Sequence, residues 1–195
     1  MTLLDRYVAV VIAAGFSLLI VAISHGTVPA GAAHSMVAIF AVAVVISECL
    51  PMRLVHDAGE GEITMSSTFA LALLFAGGAS AAMCAIALGA ACSDLLRRKP
   101  PERMAFNIGQ YALSVGAAAA VLSALSGTSF WAPHELVPAL LPASAAAAVV
   151  FFLTNSALVA RAVTLAEGAA FWGYLRRDLA LQTSTVGILL GLAPI

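Results

Sequence analysis

The chain has 195 residues, of which 62% are hydrophobic and only 10% charged, and its mean hydropathy is +1.03. Soluble domains carry about 25% charge, so this composition excludes a water-soluble globule. It also excludes a disordered chain, a collagen and a nucleic-acid binder, which need low hydrophobicity, a glycine repeat and a basic surface respectively; the net charge is −1.

What remains is an all-α, polytopic transmembrane helix bundle forming a single integral membrane domain over residues 1–195. A helix crossing roughly 30 Å of hydrocarbon uses about 20 apolar residues, so this length holds about six or seven spans and no separate catalytic domain. Apolar runs predict helices at Tyr7–Ser24, Ser35–Leu50, Ser66–Ala76, Ala79–Leu96, Ala105–Leu125, Leu136–Ala160 and, incompletely, Leu179–Ile195. The first run is followed by His25 and Gly26 rather than a small-residue cleavage site, so it reads as a retained helix. The third is too short to cross upright and runs into Gly77 and Gly78. A separate span and a re-entrant segment that turns back with the fourth, covered by protein, both fit.

Two connecting pieces have character of their own. Arg53–Met65 places branched residues on both sides of an acidic, glycine-containing centre, which suits either a small cytoplasmic hairpin or a solvated loop. Gly168–Leu181 sets Phe171, Trp172, Tyr174 and Leu175 beside Arg176, Arg177 and Asp178, the pattern of an interfacial amphipathic helix with its aromatics at headgroup depth. Small residues crowd 76–82, Gly116–Ala120 and Ala143–Ala148, so close helix packing is expected, and with it a homodimer face. Pro138 and Pro142 suit the first turn of the sixth helix.

All nine basic residues fall on one side if the amino terminus is cytoplasmic: Arg6, Arg53, Arg97, Arg98, Lys99, Arg103, Arg161, Arg176 and Arg177. The opposite loops, His25–His34 and Gly127–Glu135, contain no Lys or Arg, which is a positive-inside pattern for a plasma membrane. In that orientation the seventh helix leaves Ile195 on the outer side, and the expectation is a longer protein whose next helix returns to the cytoplasm.

Ionisable and amide groups within spans are expensive and therefore functional suspects. Glu48, Asp94, Asn107, Gln110 and Asn155 all fall toward the cytoplasmic half, and Asn107, Gln110, Tyr111 and Ser114 share one helix face by their i, i+3, i+4, i+7 spacing. They read as a pocket for an unidentified small-molecule signal, or as interhelical hydrogen bonds worth about 0.6 kcal/mol each. Asp94 has a simpler reading too, pairing with the basic loop that follows it.

His25, His34 and His134 fall in the outer loops, with Glu135 beside the last, but lack an HxH or HxxxH spacing; metal binding, a pH response and plain surface histidines all fit. The three cysteines, Cys49, Cys84 and Cys92, lie in apolar runs without CxxC spacing and read as packing residues. His56-Asp57 lacks further ligands, the glycine pairs lack a GxxxxGK[ST] loop, and no Ser/His/Asp set assembles on one side. The residues therefore point to no enzyme and no cofactor.

Within Glu62–Ala120, a Ser/Thr-Phe-Ala helix start (Ser67, Thr68, Phe69), a glycine break (Gly77, Gly78), Asp-Leu-Leu-Arg-Arg (Asp94, Arg97, Arg98) and Phe-Asn-x-x-Gln (Phe106, Asn107, Gln110) recur in one order. This stretch resembles the amino-terminal multi-spanning membrane region that precedes cyclic-di-GMP signalling enzymes in high-GC bacteria. The resemblance covers about two thirds of the chain. It implies a sensor or anchor in the bacterial inner membrane, followed by a further span and a cytoplasmic GGDEF, EAL or HD-GYP domain, none of whose motifs occurs in these residues. Trp172, Arg176 and Arg177 would seat the interfacial helix ahead of the output helix. A looser likeness, Ala/Gly-rich helices with a small hairpin, is to the substrate-binding membrane subunits of vitamin transporters.

Overall fold

A computed structural model describes residues 1–26, 32–50, 52–56, 59–63, 65–133, 137–177 and 179–180. The elements run α1 (Leu3–His25), α2 (Ala32–Cys49), β1 (Met52–His56), β2 (Gly59–Ile63), α3 (Ser66–Leu96), α4 (Pro101–Ser126), a 3-10 turn (Pro138–Leu140) and α5 (Leu141–Glu167). A short helical turn at 171–177 follows. By length and composition four of these stretches could cross a membrane, with Ser66–Leu96 counted end to end across an interruption at Gly78: Leu3–His25, Ser66–Leu96, Pro101–Ser126 and Pro138–Glu167. The expected seventh helix falls almost wholly on 181–195, outside the described residues.

Local chemistry sets the helix ends. α1 begins four residues earlier than its apolar run because Thr2 and Asp5 form a capping box: the Asp5 N–H donates to Thr2 Oγ1 and the Thr2 N–H to the Asp5 carboxylate. α4 likewise starts at Pro101, whose missing N–H is no loss in a first turn. α5 is offset from the expected Leu136–Ala160 because Pro138 and Pro142 place a 3-10 turn first, and it runs on to Glu167 before Gly168 closes it in the left-handed region. β1 and β2 pair antiparallel, from Met52 opposite Ile63 to His56 opposite Gly59, so the stretch after α2 is a hairpin rather than a plain loop.

α3 is not one straight rod. Its 31 residues are interrupted at Gly78, where φ is 78° and ψ is 177°. On a straight helix Ser66 and Ser93 would stand about 40 Å apart, at about 1.5 Å per residue. Both instead bond to Glu48: Ser66 Oγ donates to the Glu48 carboxylate at 2.6 Å and Ser93 Oγ to the Glu48 backbone carbonyl at 2.8 Å. The chain therefore climbs from Ser66, reverses at Gly78 and returns to Leu96, so the third and fourth predicted helices are two limbs of one hairpin. Only glycine tolerates this backbone, and any Cβ at Gly78 would fall on the Trp131 carbonyl oxygen.

This hairpin occupies the middle of the bundle. α2 and α4 pack against it, α1 lies on α4 and touches α3, and α5 packs on α4. Leu73, Leu74, Met83, Ile86, Val115, Leu122 and Phe151 fill the core, and alanines make up most of the rest. α1 crosses α4 at Gly15 and Gly109, where a Cβ on Gly15 would strike the Gly109 backbone. The expected small-residue faces are thus largely consumed inside the chain, with Gly77, Ala79, Ala82, Gly116, Ala118, Ala119, Ala143 and Ala147 all buried. Val10, Ile20, Ile23, Ile39, Val42, Ile46 and Val149 are exposed on the rim, which suits helices whose outer faces meet hydrocarbon.

Gly78 and Gly127 both have positive φ, but a Cβ at Gly127 meets nothing within 4 Å. Gly127→Ala should therefore lower stability by about 1 kcal/mol through backbone strain alone. Gly78→Ala should cost well beyond the roughly 1–3 kcal/mol of a strained residue, because the Trp131 carbonyl must also be displaced. Thermal unfolding of the two variants in the same detergent checks the order.

Candidate functional site

The five polar residues expected to cluster do line one cavity. Glu48 comes from the end of α2, Asp94 from the returning limb of α3, Asn107 and Gln110 from the start of α4, and Asn155 from α5. Ser93, Arg97, Lys99 and Tyr111 complete the polar part of the wall around a space of about 250 Å³. The cavity lies at the end of the bundle that carries Arg6, the Arg97–Arg103 connection and Arg161. Among the described residues, four hydrogen bonds tie that end together: Glu48 with Ser66 and with Ser93, Asn107 with Asp94, and the Tyr7 hydroxyl donating to the Leu158 carbonyl at 2.9 Å.

Each side chain is held for a definite reason. Gly89 lies opposite Glu48, where an added Cβ would come within 3.2 Å of Glu48 Cγ, so the absent side chain makes room for the carboxylate. Asp94 is 3% exposed and both its oxygens are engaged: Lys99 Nζ lies 2.6 Å from Oδ1 and Asn107 Nδ2 donates to Oδ2 at 2.7 Å. A buried carboxylate is tolerable only when paired and hydrogen-bonded in this way. The pairing with the basic loop is thus realised, and through Lys99. Ser114 shares the helix face of Asn107 and Gln110 but does not line the cavity; its hydroxyl donates to the Gln110 carbonyl at 2.7 Å.

Gln110 is 3% exposed, and its Oε1 has no hydrogen-bond partner among the described residues. The same holds for Asn155 Oδ1 on the facing helix. Ser80 Oγ, at the other end of the bundle, is the third such atom. Two unpartnered acceptors on the wall of one cavity form a site that can receive N–H or O–H donors, with the Arg97 and Lys99 cations nearby. Sequence reasoning passed over Ser66 and Ser93 as site residues. Ser66 and Ser93 are 27 positions apart and carried no shared signal, because only the reversal at Gly78 brings both to Glu48.

The remaining candidates lie elsewhere. His25, at the end of α1, stacks on Trp131 with ring centroids 5.0 Å apart and an interplanar angle of 16°. His34 is exposed near the start of α2, and His134 lies outside the described residues. Trp172, Arg176 and Arg177 are exposed on the 171–177 turn, while Leu175 beneath them is buried.

These features define a helical bundle with spans long enough for a membrane and a polar cavity at its basic end. Compared with known protein families, with curated proteins and with solved structures, the chain matches none.

The bond from Asn107 to a carboxylate should contribute roughly 1.5–3 kcal/mol. Asn107→Ala should lower stability by that order in wild type and by much less once Asp94→Ala has removed the acceptor. A double-mutant cycle on thermal unfolding measures the difference, and additive losses would show that the two groups do not interact.

Proposed function

We propose that this chain is a membrane-embedded sensory and anchoring domain of a bacterial inner membrane, with its amino terminus in the cytoplasm. It takes a small-molecule signal in the cavity walled by Glu48, Asp94, Asn107, Gln110 and Asn155. It relays that signal to a cytoplasmic cyclic-di-GMP cyclase or phosphodiesterase domain encoded beyond Ile195, to which any catalysis belongs. The observation that carries this reading is the pair of unpartnered acceptors, Gln110 Oε1 and Asn155 Oδ1, on the wall of one cavity. Leaving such groups without a partner costs roughly 1–3 kcal/mol each, which a donor-bearing ligand would recover.

The path of α5 supports the relay. This helix places Asn155 in the cavity wall and continues about three turns to Glu167, after which 171–177 follows. A ligand drawing Asn155 toward Gln110 would shift the helix that leads to the carboxyl end. The resemblance over Glu62–Ala120 supplies the class of output. A vitamin-type transporter subunit would capture its ligand from the outer side, whereas this cavity is walled by residues of the basic end, which positive-inside sorting would assign to the cytoplasm.

The reading frame beyond codon 195 in the native gene is the first test: a further helix and a GGDEF, EAL or HD-GYP domain would support the relay, and a stop codon would remove it. In the full-length protein, Gln110→Ala with Asn155→Ala should abolish the response of the output enzyme while leaving its basal rate in place. An unchanged response would reduce these amides to packing groups. For orientation, Pro100→Cys should be labelled by a membrane-impermeant thiol reagent only after cell lysis and Gly127→Cys in intact cells, both in a background lacking Cys49, Cys84 and Cys92; the reverse would invert the topology.

A further inference from the structure

A second concavity lies on the outside of the bundle, where the 171–177 turn leans over α5. It measures about 720 Å³ and is lined by Leu153, Thr154, Ala157, Leu158, Arg161, Phe171 and Trp172. Leu153, Ala157 and Arg161 follow one another at intervals of four residues, so they form a stripe along one face of α5, apolar for two turns and cationic at its end. Arg161 is exposed, and among the described residues it makes no ion pair and no carboxylate lines the groove. Trp172 is 69% exposed at the lip.

We infer that this groove is a binding site for one anionic phospholipid. Its phosphate sits on the Arg161 guanidinium, its glycerol region lies against Trp172 and Phe171, and one acyl chain runs along Leu158, Ala157 and Leu153. The chemistry selects this occupant. A guanidinium with no acid beside it among the described residues favours an anion, and its planar donor fork fits phosphate oxygens. The apolar stripe running away from it requires hydrocarbon, and Trp and Tyr side chains favour headgroup depth. A free phosphate would leave the stripe unfilled, and a zwitterionic lipid would bring its own cation toward Arg161. The inference needs only the membrane location of the chain and not the sensory reading. A lipid seated there would also brace the 171–177 turn against α5.

The test is native mass spectrometry of the chain released from bilayers of equimolar dioleoyl phosphatidylglycerol and dioleoyl phosphatidylcholine. Wild type should retain the glycerol lipid preferentially. Arg161→Gln should reduce that preference about fivefold, as expected for one basic residue at an anionic headgroup. Arg103→Gln, which removes a charge from the same end of the bundle away from the groove, should leave the preference intact, and Leu158→Trp should fill the groove and lose both lipids. Equal retention of the two lipids by wild type, an unaltered preference in Arg161→Gln, or an equal loss in Arg103→Gln would each overturn the site.

Discussion

The reversal at Gly78 is the constraint on which the rest of this bundle depends. A backbone dihedral that only glycine adopts without strain folds 31 apolar residues into two limbs, and those limbs become the centre around which α1, α2, α4 and α5 are arranged. Close approach of the Trp131 carbonyl seals the turn at one end. At the other, Glu48 ties both limb ends together through Ser66 and Ser93.

Folding the hairpin this way decides where polarity accumulates. Because the chain leaves and returns at one end, Asp94 arrives beside α4 just as that helix begins, and Asn107 meets it one to two turns in. Lys99, in the short connection between the two, completes the pairing of the carboxylate. The basic connection at this end thus also neutralises the acid that lines the cavity. Burial of Asp94 and retention of Gln110 as a wall residue are two results of one geometry.

The cavity and the external groove sit on either side of α5. Asn155 reaches the first, whereas Leu153, Ala157 and Arg161 line the second. One helix thus faces the polar cavity on one side and the external groove on another before it passes into the 171–177 turn. In the proposed relay, both a polar ligand and an anionic lipid would act on the same element. That convergence would let membrane composition set the resting position of the helix that a signal then moves.

Much of this was legible in the residues. Hydropathy marked each helix, glycine and proline marked where helices bend or end, and the expense of burying polar groups singled out Glu48, Asp94, Asn107, Gln110 and Asn155 before their positions were known. Periodicity is a local property and survives in one dimension, so it could establish that Asn107 and Gln110 share a face. It could not show that Ser66 and Ser93 meet on Glu48, choose between a span and a fold-back for Ser66–Ala76, or find the groove beside Arg161. Those depend on the direction in which the chain leaves Gly78 and on which helices then become neighbours. Only packing in three dimensions selects among the arrangements that the same apolar pattern allows.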